Sequence, residues 1–379
     1  MRIMYVTDAL AIWGGLERIL IEKSSLLSDM YGYDVTLVTL NQGFHPIPYK
    51  MSSKVMHEDL NIRSHQQYNY HGIRRLLKMR QLTRLYKERI RNIIKDLKPD
   101  LIVCVRSKLV RTIIDVKGSI PLIYESHTLK NAPDIIGFDS FTFLKTKLKC
   151  WNEKYAEVIV TLTEGDAKNW RTINPNVCVI PNVVNLNRSD KYCDWNTKSV
   201  IFVGRFSVQK DIRSLLNIWE IVYRKNPDWQ LHLYGGYGGE QNLLLPEIQK
   251  NDINIVVHDP TPNIFEKYKE SSIFLITSLF EPFGLVMPEA MSCGLPVVAF
   301  DCPYGPADII TDGIDGFLIK DRNVDEYANK VCLLMDDVSL RRRMGQAGIV
   351  SSQRYAAECI MPMWKQLFEQ VVEQNKKNK

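Results

Sequence analysis

Two doubly wound α/β units facing each other across a cleft are the fold class this sequence predicts. Three observations predict it. The chain has 379 residues, too many for one comfortable core and suited to two domains of ordinary size. Short apolar runs alternate with segments of helical period, as in parallel βαβ units, and they do so twice over. Between the two series lies PNVVNLNRSDKYCDWNTKS, residues 181–199, a polar stretch without strong periodicity that has the character of a linker.

In the first unit, residues 1–183, the predicted strands are 3–7, 35–39, 101–105, 122–124, 158–162 and 177–180. The linker proper occupies 184–199. In the second unit, 200–355, the strands are 200–203, 230–234, 255–257, 273–277 and 297–299. Residues 356–379 form a last helix whose Met-Trp-Leu-Phe stripe reads as packing surface. In open α/β sheets ligands bind beyond the carboxyl ends of the strands, so motifs at strand ends matter most.

Composition fits a soluble globular protein, with 45% hydrophobic and 24% charged residues and a mean hydropathy of -0.18. The eight cysteines, Cys150 among them, form no CxxC pair and sit mostly in apolar runs. That predicts reduced thiols in a cytoplasmic protein and neither a zinc site nor a disulfide framework. MRIMYVTDAL has one basic residue and then a strand-like run, so no signal peptide is expected. No window reaches the roughly 18 uninterrupted apolar residues of a membrane span. The net charge of +6 is unevenly spread: residues 1–195 carry +9 and the remainder -3. The first half is built to meet something anionic.

Three strand ends in the second half carry candidate chemistry. VIFVGRFSVQKD (200–211) runs a strand into Gly204 and presents Arg205 and Lys210. Two cations at a strand mouth suit a diphosphate, although two surface cations near a helix start would look the same. HLYGGYGGE (232–240) is a glycine-rich turn, open to a phosphate or base or merely flexible. EPFGLVMPEA (281–290) places Glu281 on a loop after a buried strand and Glu289 in the first turns of a helix that Pro288 helps to start. The backbone N–H groups of Phe283, Gly284 and Leu285 would point out of that helix, toward an anion. Acids on either side of a phosphate site fit a molecule with a sugar at each end of a diphosphate.

GRFSVQKD, EPFGLVMPEAMSCGLPVVA and ADIITDGIDGFLI (307–319) resemble the retaining glycosyltransferases of family 4, built on the two-domain B-type fold. The resemblance covers nearly the whole chain and is strongest over 200–320. It implies that Arg205 and Lys210 bind the donor diphosphate and that Glu281 holds the transferred hexose. The Phe283, Gly284 and Leu285 amides assist, and Glu289 takes the ribose. TDALAIWGGLERI (7–19) resembles the family's glycine loop, so Gly14 and Gly15 would lie against the donor phosphate and the acceptor. In LIYESHTLK (122–130) the resemblance implies that His127 contacts the hexose near the reacting centre, with Glu125 as a rival and a structural histidine as the plain alternative. VIPNVVN (179–185) is similar to the family's hinge-proximal turn, with Val183 where many relatives have Gly. The last helix would cross back to the first domain.

The family implies front-face transfer, in which the leaving phosphate oxygen takes the acceptor's proton. The chain contains no D-x-D motif, so no metal cofactor is expected. The expected partners are a nucleotide sugar and a glycan acceptor, lipid-linked in many relatives. IRRLLKMRQLTRLYKERIRNIIKDLK (73–98) holds ten Lys/Arg on an apolar helical period. It reads either as a helix on an anionic membrane or as a packed helix with a solvated basic face. No nucleic-acid motif accompanies that charge. A nucleotide-sugar 2-epimerase shares the facing domains and stays open as an alternative. A non-catalytic scaffold is disfavoured by the charged donor set, and an NAD dehydrogenase by the absence of G-x-G-x-x-G after a strand.

Overall fold

A computed structural model describes residues 1–12, 14–130, 151–187, 189, 191–236, 238–251 and 253–377, without the side chains of 250 and 251. Cys150, Trp13, Arg188, Asp190, Tyr237 and residues 378–379, which the sequence readings include, lie outside the described residues.

The first half is β1 (Arg2–Thr7), α1 (Gly15–Tyr31), β2 (Asp34–Thr39), β3 (Met56–Asp59), α2 (Gly72–Leu97), β4 (Leu101–Cys104), α3 (Ser107–Ile114), β5 (Leu122–Glu125), β6 (Val158–Thr161), α4 (Glu164–Trp170) and β7 (Val177–Val179). Its strands form one parallel sheet in the order β3-β2-β1-β4-β5-β6-β7. The second half is β8 (Ser199–Val203), α5 (Ile212–Lys225), β9 (Gln230–Tyr234), α6 (Gln241–Asn251), β10 (Ile255–His258), α7 (Ile264–Lys269), β11 (Ile273–Ile276), α8 (Val286–Ser292), β12 (Val297–Phe300), α9 (Gly305–Ile309) and β13 (Gly316–Ile319). Helices α10 (Val324–Asp336), α11 (Val338–Ser352) and α12 (Ala357–Lys377) follow. This sheet is also parallel, ordered β10-β9-β8-β11-β12-β13.

The central strands are buried on both faces, which is why they read as unbroken apolar runs. Strands β3 and β13 had no counterpart in the sequence reading. Both lie at sheet edges, and β3 (MHED) has Met56 50% exposed and no apolar run to reveal it.

Strand order reverses between β1 and β4 in one sheet and between β8 and β11 in the other. Those switch points are where a doubly wound sheet opens a crevice. The chain passes between the halves twice, and the two passes are tied where Val184 N–H donates to Tyr355 O at 2.9 Å. Helix α12 then buries Ile360, Met361, Trp364, Leu367 and Phe368 in the core of the first half, against Ile3, Tyr5, Leu20 and Leu27. Of the seven described cysteines none is in a disulfide, and five are buried.

Helix α2 divides the sequence reading in two. Leu82, Tyr86 and Ile90 pack into the domain core, while Ile73, Leu76 and Leu77 are 77%, 49% and 57% exposed. No described helix is long and apolar enough to cross a membrane.

Candidate active site

Strand β8 ends at Gly204, whose N–H donates to Tyr234 O of β9 at 3.0 Å. Arg205 follows, exposed and without an ion pair among the described residues. A short 3₁₀ turn, Val208–Lys210, then brings Lys210 toward the end of β11. Thr277 Oγ1 donates to Lys210 O at 3.0 Å and fixes that approach. Lys210 Nζ there meets Glu281 Oε1, and Ser278 donates its hydroxyl to the same oxygen at 2.6 Å. Glu281 Oε2 has no partner among the described residues.

The Glu281 main chain is equally constrained. Its N–H donates to Pro303 O at 2.7 Å, and its carbonyl accepts from Tyr304 and Gly305, each at 3.0 Å. Arg322 buttresses the same loop by donating to Thr277 O at 3.0 Å and Ser278 O at 2.9 Å while pairing with Asp211. A buried carboxylate held this rigidly can fix a sugar hydroxyl in one place.

Beyond Glu281 the chain turns through Gly284 at φ +95° into α8. Among the described residues the N–H groups of Phe283, Gly284 and Leu285 donate to no protein acceptor. The Phe283 side chain is 2% exposed and packs edge-on against Tyr355, ring centroids 5.2 Å apart. The turn therefore presents its amides and keeps its aromatic side chain inside.

The glycine-rich turn after β9 has a packing purpose. A Cβ on Gly235, at φ +154°, would lie 1.9 Å from Gly204 O, and one on Gly238 would lie 2.0 Å from Phe206 O. These glycines let two loops touch backbone to backbone, which sets where Gly204 and Arg205 sit.

From the first half, Gly14 caps α1 and accepts hydrogen bonds from Arg18 N–H at 3.1 Å and Tyr49 OH at 3.2 Å. A Cβ on Gly15 would lie 3.5 Å from Leu285 Cδ1, so this loop reaches the α8 turn of the other half. One turn on, Arg18 Nη1 stands 2.8 Å from Glu289 Oε1. Glu289 is 2% exposed, and Tyr268 OH approaches its other oxygen at 3.3 Å. Burial raises the Glu289 carboxyl above its ordinary range, and the Arg18 charge opposes that rise.

His127 belongs to a second cluster. Its Nε2 is 2.9 Å from Glu125 Oε1 but out of line for a hydrogen bond, and among the described residues that buried nitrogen has no hydrogen-bond partner. Glu125, the rival in the same segment, has both oxygens on Lys23 Nζ, and Lys23 sits 4.0 Å over the Trp364 ring. Glu125 is thereby committed to the core.

The structure thus brings together Gly14, Gly15, Gly204, Lys210, Glu281, Gly284, Leu285 and Glu289 where the two halves meet. His127 has its closest charged partner in Glu125, outside that group. Sequence reasoning missed Arg18, Lys23, Ser278 and Tyr268. It also missed a charged set at the first sheet's switch point, where Lys108 Nζ meets Asp8 Oδ2 at 2.7 Å and Arg106 Nη2 meets Glu17 Oε1 at 3.2 Å. Lys23 alone left a trace, a lysine interrupting the buried stripe Ile19, Leu20, Leu27 of α1. The others find their partners only in three dimensions.

Known proteins resemble this chain in sequence and fold. Residues 188–350 match the family of glycosyl transferases group 1. The chain is 28% identical over 378 residues to the amylovoran biosynthesis glycosyltransferase AmsD of Erwinia amylovora, covering 96% of this chain and 98% of that protein. It is 27% identical over 296 residues to a poly(ribitol-phosphate) alpha-N-acetylglucosaminyltransferase of Staphylococcus aureus, covering 74% and 57%. Among solved structures, S. aureus TarM in complex with Fondaparinux, alpha-GlcNAc-glycerol and UDP superposes with a TM-score of 0.79 at 17% identity, over 97% of this chain and 99% of that one. Sucrose-phosphate synthase of Thermosynechococcus elongatus gives 0.81 at 18% identity, over 98% and 99%. Residues 188–350 thus match the glycosyl transferases group 1, and the chain has the fold of two facing Rossmann-like halves known as GT-B.

Proposed function

We propose that the chain is a retaining glycosyltransferase that moves a hexose or N-acetylhexosamine from a nucleoside-diphosphate sugar, a UDP-sugar foremost, to a glycan acceptor in surface polysaccharide biosynthesis. The observation that carries this reading is Glu281, locked by Lys210 and Ser278 beside three unengaged amides and the exposed Arg205. Two cations and converging N–H groups suit a diphosphate, and the open Oε2 suits a sugar hydroxyl. Relatives named for amylovoran biosynthesis and for poly(ribitol-phosphate) glycosylation support the substrate class.

In the reaction the acceptor oxygen bonds to the anomeric carbon on the face from which the diphosphate leaves. The sugar–phosphate bond breaks, and the acceptor's proton passes to the departing phosphate oxygen. Arg205, Lys210 and the amides of Phe283, Gly284 and Leu285 stabilise the negative charge that grows there. Glu281 holds hexose hydroxyls and Glu289 the ribose, and the family resemblance gives His127 a contact with the hexose. Transfer needs no metal, a reading supported by the sequence having no D-x-D.

The acceptor belongs on the first half, at the switch point lined by Asp8, Arg106 and Lys108. A lipid-linked acceptor and an anionic membrane surface fit α2, whose exposed Ile73, Leu76 and Leu77 lie among Arg74, Arg75, Lys78 and Arg80. The enzyme would then act at the inner face of the cytoplasmic membrane.

The test is a thermal-shift screen of UDP-, GDP- and ADP-sugars, followed by turnover with the best donor. Proton NMR of the product should show the donor's anomeric configuration kept, and activity should survive excess EDTA. An inverted anomer, or loss restored by Mn²⁺, would overturn retention or metal independence respectively.

A further inference from the structure

The Arg18–Glu289 contact joins two elements of different halves, α1 and α8. Within its own half Glu289 has only the neutral Tyr268 hydroxyl as a polar side-chain partner among the described residues. Among the described residues its countercharge comes from Arg18 of the other half. The groups facing it are Arg18 and Glu22 of α1, Tyr49 of the segment before β3, Tyr268 of α7 and Cys293 at the end of α8. Glu22 accepts from Arg18 Nε at 3.0 Å and so steadies the guanidinium.

The geometry of the pair is unusual for a tether. Arg18 Nη1 is close to Oε1, but its N–H is not aimed at it, and among the described residues that buried oxygen has no aligned donor. A guanidinium whose purpose was to bolt two domains together would be expected to fork onto both oxygens. Here it supplies charge and leaves a lone pair open for a hydroxyl group.

We infer that Arg18 is a positioning residue for the nucleotide: from across the cleft it presents Glu289 to the ribose, so the nucleoside is held tightly only when the two halves meet. The inference rests on the proposed role of Glu289 as the ribose acid. Without Arg18, burial leaves Glu289 protonated to higher pH, and a protonated acid gives up acceptor capacity.

Titration calorimetry with UDP and GDP, which share the ribose, tests this on the full chain. E289Q and R18M should each weaken both nucleotides at least tenfold at pH 7.5, and R18K should stay within about threefold of wild type. The R18M/E289Q double variant should bind no worse than E289Q alone, because both act on one contact. Affinity of R18M should recover as the pH rises from 6 to 9 more steeply than that of the wild type. If R18M does not fold, R18Q carries the same comparison. Binding by the Arg18 variants equal to or tighter than wild type, with E289Q impaired, would overturn the inference and make Arg18 a tether or a competitor. Wild-type binding by E289Q would remove the ribose reading itself, and this inference with it.

Discussion

Lys23 and Glu125 form an ion pair inside the first domain, each side chain 1% exposed, with the Trp364 ring of the last helix over the lysine. The pair joins α1, β5 and α12. Removing one partner strands the other charge in the core, which costs about 3–5 kcal/mol, whereas replacing both by apolar groups is often close to neutral. K23M should therefore unfold at clearly lower urea concentration than K23M/E125L. Equal losses in the two variants would show that the pair stabilises by its contacts and that the stranded charge matters little.

The same pair predicts a pH dependence. Burial pushes the Glu125 carboxyl up, but Lys23 and His127 outweigh it and hold it at about 2, below its ordinary 4.5. A group depressed on folding stabilises the protein at pH above its unfolded value, and that contribution is lost as the pH falls through the folded one. Wild-type stability should thus be flat in this respect above about pH 4.5 and fall between 4.5 and 2. K23M/E125L, lacking the pair, should show a shallower acid limb in thermal melts over the same range.

Much of the candidate site was legible in the sequence because it is local. Glu281, Gly284, Leu285 and Glu289 fall within one strand–turn–helix segment, and Arg205 and Lys210 in another. Residue types at fixed offsets from a buried strand announce such turns. What was illegible joins distant parts of the chain. Arg18 meets Glu289 over 271 positions and Lys23 meets Glu125 over 102, so nothing in either neighbourhood signals the other. Edge strand β3 failed for a different reason: a strand with a solvated side lacks the apolar run by which central strands are recognised. The glycine turn 235–239 was visible, but its cause was not, since only the approach of Gly204 O explains it.

That approach makes Gly235 a sensitive position. A Cβ there would overlap Gly204 O at 1.9 Å, with the backbone at φ +154°, so G235A must displace one of two strand ends. The expected result is a loss of about 1–3 kcal/mol in stability together with weaker nucleotide binding, because Arg205 is carried on the displaced segment. Calorimetric binding of UDP and a thermal melt on the same sample check it. Wild-type affinity in a destabilised G235A would uncouple the turn from the donor site.

Lys210 and Glu281 should separate by kinetics. If Lys210 stabilises charge that develops only as the diphosphate departs, K210A should lower kcat by about 10²–10³, with a smaller effect on donor KM. Glu281 is proposed to grip the hexose and also anchors Lys210. E281A should therefore lose at least as much in kcat and weaken the intact nucleotide sugar more than it weakens the free nucleoside diphosphate. An E281A variant that binds sugar nucleotide and diphosphate in the wild-type ratio would remove its assigned grip on the hexose.

The exposed turns of α2 offer the last prediction. Ile73, Leu76 and Leu77 are solvated, whereas Leu82, Tyr86 and Ile90 hold the helix to the domain. Apolar side chains that contribute nothing to the core can be removed without unfolding it, so I73S/L76S/L77S should melt within about 1 kcal/mol of wild type. If these residues enter a lipid surface, the same variant should sediment far less with phosphatidylglycerol vesicles. Reversing Arg80, Arg84 and Lys87 to Glu should weaken binding too, since the basic face supplies the attraction to anionic lipid, and added salt should weaken the wild type. Among the described residues only Lys87 of these three has an intramolecular acid partner, Asp115 at 2.7 Å, so some loss of stability is expected from that member. R80E/R84E alone separates the effects. Undiminished sedimentation of the serine variant would leave α2 a surface helix with a solvated basic face and no part in membrane attachment.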